Sequence, residues 1–240
     1  MNKKNAFVSS LLGALALSAV CSAQAAVVAD FAADFSTTSS TSGAWQYGYS
    51  STLGGAFSLD ANKTTYGASN DVVAWSPAGT FWPTVALNTG AAQVNFGAGD
   101  VAHLAAQQGL LHPGAGGEFA VVRLTLAADF MGQLQTEFAG IDVLGTTTDV
   151  HVLLNGVSVF SGLIGGFGQT QSFDSTRAFH AGDVIDFAVG VGSNGNYFDD
   201  STGFKATLST VAPAVPEPTT AALLLAGLTG LVGAHRRRAR

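Results

Sequence analysis

Hydrophobic and polar positions alternate in short runs along the middle of the chain, and Gly, Asn, Asp or Ser residues separate the runs. Runs of this kind that are rich in β-branched and aromatic residues are typical of β-strands. No convincing amphipathic helix lies between them, although 101–111 is a weak match to a short helix. We therefore expect an all-β fold, an antiparallel β-sandwich of the jelly-roll-like kind. The predicted strands are Val27–Phe35, Gln46–Ser50, Ala56–Leu59, Val72–Trp75, Thr84–Leu87, Gln93–Phe96, Phe119–Leu126, Leu134–Ile141, Val150–Leu154, Val157–Phe160, Val184–Val189 and Phe204–Leu208.

The clearest local prediction is a β-hairpin over Val150–Phe160. Two apolar alternations flank the dipeptide Asn155-Gly156. This dipeptide suits a two-residue type I′ turn, because Asn and Gly both accept the positive φ that the turn requires. The two strands are therefore expected to pair directly across the turn.

Residues 1–25 have the pattern of a secretory signal peptide, with two lysines, a Leu/Ala/Val-rich run and small residues at a cleavage site. Ala23 and Ala25 are the small residues of that site, and Ala26 would be the first residue after cleavage. Signal peptidase and the secretion machinery are therefore expected partners. The alternative is a lipoprotein signal that uses Cys21, but the residues before it do not match such a site.

Residues 213–240 combine three features in a fixed order. A linker and a Pro-Glu-Pro motif occupy 213–220, an apolar run occupies 221–234, and a basic stop occupies 235–240. Proline blocks helix and sheet pairing, so the motif is expected to stay extended and accessible. The apolar run is short for a transmembrane helix and contains several glycines, which predicts a temporary anchor better than a permanent one. An ordinary C-terminal membrane anchor is the alternative.

This tail resembles the PEP-CTERM sorting signal of Gram-negative bacteria that make extracellular polysaccharide. The resemblance implies that an exosortase-type membrane protease recognises the motif and processes the tail after transient membrane anchoring. It also implies a location at the cell surface or in the extracellular matrix. Similar tails are sometimes labelled an ice-binding protein C-terminal domain, but Thr146-Thr147-Thr148 is a single cluster, and an ice-binding face needs repeated rows. The residues that carry the resemblance are Pro216, Glu217, Pro218, Arg236, Arg237 and Arg238.

The charge distribution describes the region between the two terminal signals, 26–212, which is expected to be one secreted domain. This region has four basic residues and fifteen acidic residues, a net charge of −11. An acidic surface repels phosphate backbones, which excludes nucleic acid as an expected partner. The only cysteine lies in the signal peptide, so no disulfide is expected in the mature domain.

Trp45, Tyr47 and Tyr49 alternate along one predicted strand, so the three rings should share one face. A row of exposed aromatic rings could stack against sugar rings, which makes these residues candidate ligand-binding residues. Burial of the same rings in the core is the alternative. Trp75 and Trp82 are expected to be core or loop-packing residues.

The loop 192–203 contains several oxygen-bearing side chains. Ca²⁺ prefers carboxylate, amide and carbonyl oxygens, so Asn194, Asn196, Asp199 and Asp200 are candidate calcium ligands. The spacing does not match an EF-hand loop. The alternative is a set of turns in which these side chains cap their own backbone.

No catalytic motif stands out, and the histidines lack the short spacing of zinc ligands. We therefore expect a non-catalytic protein that binds or associates with extracellular polysaccharide in a biofilm-like setting. A structural surface protein or adhesin without a glycan site is one alternative. A hydrolase of matrix polysaccharide is the other.

Overall fold

The computed structural model of the protein describes residues 25–211. This region contains seventeen strands, one helical turn α1 (Phe31–Asp34) and one 3₁₀ turn (Gly192–Asn194). The strands, in chain order, are β1 (Val27–Asp30), β2 (Thr41–Ser42), β3 (Trp45–Ser50), β4 (Ser58–Leu59), β5 (Asn62–Tyr66), β6 (Val72–Ser76), β7 (Thr84–Asn88), β8 (Val94–Phe96), β9 (Ala102–Leu104), β10 (Gly109–His112), β11 (Phe119–Thr125), β12 (Phe130–Gly140), β13 (Asp149–Leu154), β14 (Val157–Leu163), β15 (Thr170–Phe179), β16 (Val184–Gly190) and β17 (Thr202–Thr210).

The strands form two main antiparallel sheets that pack face to face. The larger sheet has the order β15-β12-β17-β10-β7-β6-β5, and β1 also pairs with β17. The smaller sheet has the order β14-β13-β16-β11-β3-β2, and β4 also pairs with β3. A separate hairpin of β8 and β9 packs its side chains against the larger sheet. The predicted all-β antiparallel sandwich is confirmed.

The main core lies between the two sheets and is rich in aromatic residues. The turn α1 inserts Phe31 into it, and Asp30 caps this turn by accepting a hydrogen bond of 3.0 Å from the amide of Ala33. The Phe31 ring lies edge-on to Trp45 at 5.7 Å and to Phe204 at 5.0 Å between ring centroids. Such edge-to-face pairs stabilise a core beyond the burial of their area. The predicted first strand, Val27–Phe35, is therefore interrupted at Phe31–Asp34, and Phe31 fills space between the sheets.

The segment 101–111, which is a weak match to a short helix in the sequence, contains no helix. The segment forms β9 and β10, joined by a turn in which Gln107 has a positive φ of 56°. Asn88 fixes the turn, because its side-chain amide donates to the carbonyls of Leu104 at 3.1 Å and Ala105 at 3.0 Å. Pairing with neighbouring strands outweighs the weak helical preference of this segment.

The predicted hairpin over Val150–Phe160 is confirmed. Asn155 and Gly156 have φ values of 52° and 77°, as a type I′ turn requires. The pairing of β13 with β14 is irregular, however, because a bulge shifts the register between Val152 and Leu153. This bulge was not predicted from the alternation.

The described region contains its own core and brings its two ends together. All three buried hydrophobic clusters draw their buried residues from between Ala29 and Leu208. The amide of Ala26 donates to the hydroxyl of Thr210 at 2.9 Å, and the amide of Thr210 donates to the Ala26 carbonyl at 2.8 Å. A region with a complete core and adjacent ends is expected to fold on its own.

Within 25–211, no helix is long and apolar enough to cross a membrane. The predicted span 221–234, the rest of the sorting tail and the signal peptide residue Ala23 lie outside the described residues.

Candidate functional site

The candidate site lies at one end of the larger sheet. The register pairs His112 with Thr84 and Leu111 with Thr202, so β7 begins, β10 ends and β17 begins at this end. The loop before β7 carries Phe81 and Trp82, and the loop before β17 carries Tyr197 and Phe198. Antiparallel pairing therefore brings aromatic residues together that are more than a hundred positions apart in the sequence.

Trp82 and His112 form the centre of the site. Their rings are stacked, with 3.8 Å between centroids and an angle of 27° between the ring planes. His112 is buried, and its Nδ1 lies 2.9 Å from the carbonyl oxygen of Pro113. Burial lowers the pKa of His112 to about 4, although the bond to Pro113 acts in the opposite direction. His112 is therefore neutral near pH 7, and because a carbonyl can only accept, Nδ1 holds the proton and Nε2 is left as an acceptor.

Tyr197 and Phe198 are positioned by the turns of the loop that precedes β17. The side-chain oxygen of Asn194 accepts from the Asn196 amide at 3.1 Å, and that of Asn196 accepts from the Phe198 amide at 3.0 Å. The Tyr197 ring lies edge-on to His112 at 6.2 Å, and the adjacent Phe198 is 65% exposed. The loop therefore holds one ring against the centre of the site and presents the other to solvent.

Two neighbouring cavities make up the site. A cleft of about 210 Å³ is lined by Trp82, His112, Tyr197 and Phe198 together with polar side chains of Asp142, Asp199 and Ser201. An apolar cavity of about 270 Å³ adjoins it, and Trp82, Phe96 and Gly97 line both. We call this surface the aromatic groove, and its rings belong to Tyr66, Phe81, Trp82, Phe96, Tyr197 and Phe198.

Acidic groups lie along one side of the groove. The carboxylate of Asp142 accepts from the Leu144 amide at 3.2 Å and from the Ser201 hydroxyl at 3.5 Å. Asp142 and Asp199 line the groove, whereas Asp200 is fully buried and does not. Burial raises the pKa of Asp142 and raises that of Asp200 to about 6, and the charge on Asp199 acts in the same direction for both. The groove can therefore offer hydrogen-bond acceptors beside its aromatic rings.

The predicted stacking row Trp45, Tyr47 and Tyr49 is not an exposed surface. Trp45 is 2% exposed and Tyr47 is 0% exposed, while Tyr49 is half-buried. Trp45 donates from Nε1 to the Asp34 carboxylate at 3.1 Å, and the Tyr47 hydroxyl accepts from the Ser36 amide at 3.1 Å. Alternation placed the first two rings on one face correctly, but that face is the core. Trp75 and Trp82 were both expected to be core or loop-packing residues. Trp75 is in the core, whereas Trp82 lines the groove.

The candidate calcium ligands serve the loop itself. The side-chain oxygens of Asn194 and Asn196 cap backbone amides, as described above. Asp200 is fully buried, and its Oδ1 accepts from the Thr147 amide at 2.9 Å and the Thr147 hydroxyl at 3.1 Å. Only Asp199 lines the groove. Across 25–211, no cluster of three or more His, Cys, Asp or Glu residues is arranged to hold a metal ion. The contacts of Asn194 and Asn196 match the alternative of side chains that cap their own backbone, and calcium binding stays a prediction.

Sequence reasoning missed most of the aromatic groove. The available signal was the position of Phe81-Trp82-Pro83 and Tyr197-Phe198 in Gly/Asn/Asp-rich loops, where large aromatic residues have no strand to pack under. His112 gave no such signal, since it ends a strand of the core.

Comparison with known families places the PEP-CTERM protein-sorting motif at residues 214–239. The chain therefore carries this sorting motif, which marks a secreted surface protein processed by exosortase. Comparison with curated proteins gives no match.

The solved structures that resemble the fold include three carbohydrate-binding modules. One is CBM51 of Clostridium perfringens GH95 in complex with methyl-galactose. It is 16% identical, the match covers 43% of this chain and 69% of that chain, and the TM-score is 0.34. A family 35 module from Clostridium thermocellum matches at 10% identity, 62% of this chain, 98% of that chain and a TM-score of 0.27. CBM36 in complex with calcium and xylotriose matches at 14% identity, 50% of this chain, 87% of that chain and a TM-score of 0.27. Similarities at this level carry no argument about a ligand.

Proposed function

We propose that the protein is an exported surface or matrix protein whose β-sandwich binds extracellular polysaccharide in the aromatic groove. The observation that carries the proposal is the stacked pair Trp82–His112 at the centre of a cleft that also contains Tyr197, Phe198 and Asp199. In this role the groove is a binding site without catalysis.

The chemistry of the groove suits a sugar ring. A pyranose has apolar C–H faces and a polar hydroxyl edge, so it requires a flat aromatic surface beside hydrogen-bond partners. Phe198 and Trp82 supply aromatic surface, while Asp199, Asp142 and Ser201 supply acceptors or donors for hydroxyl groups. The neutral His112 adds an acceptor without adding a charge, which suits an uncharged ligand segment.

The volumes of the two cavities limit the size of the bound segment. The cleft has about 210 Å³ and the adjoining cavity about 270 Å³, so each has room for one small ligand. Pockets for larger ligands span about 300–1,000 Å³. We expect one or two sugar residues to be held, with the more apolar portion toward Phe81, Phe96 and Leu110. A site that holds so short a segment could bind a repeating polysaccharide at many positions along its length.

The direction of β17 supports display of this site. The strand runs from Thr202, beside the groove, to Thr210, beside Ala26. Its nine residues span about 30 Å. The groove and the point where the chain leaves for the sorting tail are thus at opposite ends of the domain.

The proposal is tested by affinity electrophoresis of 26–211 through gels that contain polysaccharide purified from the producing cells. Retarded migration that free polysaccharide reverses is the expected result. Migration equal to that in a gel without polysaccharide would contradict a glycan-binding role and would favour the structural surface protein.

A further inference from the structure

A second group of polar side chains lies on the outer face of the smaller sheet, away from the aromatic groove. Asp149 and His151 are two positions apart on β13 and therefore project to the same side. Ser161 is directly opposite His151 on β14 in the strand register. The fold thus places an acid, an imidazole and a hydroxyl side by side.

The three side chains form a continuous hydrogen-bond chain. His151 Nδ1 lies 2.9 Å from Ser161 Oγ, and His151 Nε2 lies 2.8 Å from Asp149 Oδ2. The other oxygen of Asp149 accepts from the Gly192 amide at 2.8 Å, which fixes the carboxylate. His151 is buried, whereas Ser161 at the end of the chain is exposed.

The charge state of Asp149 sets the direction of these bonds. Burial acts to raise the pKa of Asp149, but the hydrogen bonds from His151 and Gly192 outweigh it and hold the pKa below its usual value. An ionised carboxylate can only accept, so His151 donates from Nε2. With its proton on Nε2, a neutral imidazole places the lone pair of Nδ1 toward the Ser161 hydroxyl. A base held by a carboxylate and aimed at a hydroxyl is the arrangement that activates a serine nucleophile.

The bulge in β14 brings a second hydroxyl to the same place. Ser158 and Ser161 are three positions apart and would face opposite sides of a regular strand. The register shift between Val152 and Leu153 adds one residue on β14, and Ser158 Oγ consequently lies 3.2 Å from Ser161 Oγ. In the structure the Ser158 hydroxyl also donates to the carbonyl oxygen of Phe160 at 3.2 Å. A hydroxyl rotates to suit its partners, and when it turns toward Ser161 it becomes a donor that can stabilise an oxyanion forming there.

We propose that Ser161, His151 and Asp149 form a hydrolytic site that removes ester-linked acyl groups from polysaccharide. Ser161 Oγ attacks the acyl carbonyl carbon, and its proton passes to His151 Nδ1, while the Ser158 hydroxyl donates to the oxyanion. The bond to the sugar oxygen breaks, and that oxygen takes the proton from His151. Water, deprotonated by His151, then attacks the acyl-serine, releases the carboxylic acid and restores Ser161. One ester and one water give one acid and one alcohol.

The position of the site indicates an ester on a polymer. Ser161 is exposed on β14, which is the edge strand of the smaller sheet, so an extended chain can lie along it without entering a deep pocket. A single hydroxyl stabilises the oxyanion only modestly. This suits an ester better than an amide, because an alkoxide leaves more readily than an amine. The half-buried ring of Phe119, which is 6.0 Å from the His151 ring, offers an apolar surface for the acyl group.

The test uses 26–211, which contains its own core, and a fluorophosphonate probe that labels activated serines. We expect labelling at Ser161, located by mass spectrometry, and hydrolysis of p-nitrophenyl acetate. Both should fall about 100-fold or more in Ser161→Ala and His151→Gln, as expected when a nucleophile or its base is lost. The matched control is Ser172→Ala, which changes an exposed serine on β15, an edge strand of the larger sheet. This variant should retain both the labelling and the hydrolysis.

The outcomes separate this site from the aromatic groove. Because Ser161 is exposed, Ser161→Ala should keep its melting temperature and its binding to polysaccharide. Loss of labelling in Ser161→Ala with unchanged binding supports the hydrolytic site. Absence of labelling in the wild-type protein, or equal labelling and hydrolysis in Ser161→Ala, would overturn it and would leave the glycan-binding role of the groove untouched.

Discussion

Trp82 stacks on the ring of His112 with 3.8 Å between the two centroids, and the pair joins the loop before β7 to the end of β10. Burial keeps His112 neutral near pH 7, since its pKa is lowered to about 4. One face of the Trp82 indole therefore packs against an uncharged ring. This contact holds the indole in place, so it can present aromatic surface to a ligand without changing its own position. This rigidity reduces the entropy lost on binding.

The first prediction concerns Trp45, which is a core residue and not a sugar-stacking residue. Replacing it with Ala removes a fully buried ring that packs against Phe31 and Phe187. We expect Trp45→Ala to lower the free energy of unfolding by about 3–5 kcal/mol. Urea denaturation followed by circular dichroism measures this loss. A variant as stable as the wild type would show that Trp45 is not part of the core.

Asp60 carries a second prediction, about stability and pH. Its two carboxyl oxygens are buried without a hydrogen-bond partner, and burial raises its pKa to about 8. Between pH 4 and pH 8 the folded protein retains a proton that the unfolded chain releases, so Asp60 lowers stability as the pH rises. Asp60→Asn should therefore match the wild type near pH 4 and exceed it near pH 8 by roughly 2–5 kcal/mol.

Urea titrations of Asp60→Asn at several pH values measure this difference directly, because contributions from His112 and Asp200 cancel between variant and wild type. Asp100→Asn removes an exposed carboxylate and should show no such pH-dependent gain. A gain in Asp60→Asn that is the same at pH 4 and pH 8 would contradict the buried neutral acid.

A third prediction concerns calcium. Asn194, Asn196 and Asp200 already make hydrogen bonds within their own loop or to Thr147. We therefore expect the melting temperature of 26–211 to be unchanged when a chelator replaces added calcium. A ligand that binds only the folded state raises stability, so a clear rise in melting temperature with calcium would restore the calcium hypothesis.

The sorting tail leads to a fourth prediction, about the fate of the protein in cells. Glu217→Ala, or replacement of Arg236, Arg237 and Arg238, should leave full-length precursor in the inner membrane. The motif would no longer be recognised in the first case, and the basic stop would be lost in the second. Cell fractionation followed by immunoblotting measures the precursor. Normal release of both variants would contradict processing by exosortase.

Much of the fold could be predicted from local pattern, and the misses have physical reasons. Asn155-Gly156 specifies its turn because both residues accept a positive φ, and the hairpin forms as predicted apart from the bulge in β14. The strand β15 (Thr170–Phe179) was missed because it is an edge strand with mostly exposed polar residues, so its sequence lacks a strong apolar alternation. The segment 101–111 gave only a weak helical pattern and no strand prediction, because its pairing with distant strands, and not its own sequence, determines its structure.

The site was harder to predict than the fold. Alternation correctly grouped Trp45 with Tyr47, but it does not reveal which face of a strand is the core. Trp82, His112 and Tyr197 come from three separate parts of the chain and meet only through the pairing of β7, β10 and β17. A site made from loop residues at the end of a sheet has no spacing that the sequence could display.

A comparison of single variants can show whether the aromatic groove binds polysaccharide. Affinity electrophoresis would compare wild-type 26–211 with Trp82→Ala, Phe198→Ala and the control Tyr49→Ala, which removes a half-buried ring from the smaller sheet. We expect Trp82→Ala and Phe198→Ala to bind about tenfold or more weakly, because a ring that buries apolar area contributes about 1.5–3 kcal/mol and 1.4 kcal/mol is tenfold in affinity.

Phe198 is 65% exposed, so Phe198→Ala should keep the wild-type melting temperature and report on binding alone. Tyr49→Ala should bind as the wild type does. Equal dissociation constants for the wild type, Trp82→Ala and Phe198→Ala, with all three proteins folded, would show that the aromatic groove does not bind polysaccharide.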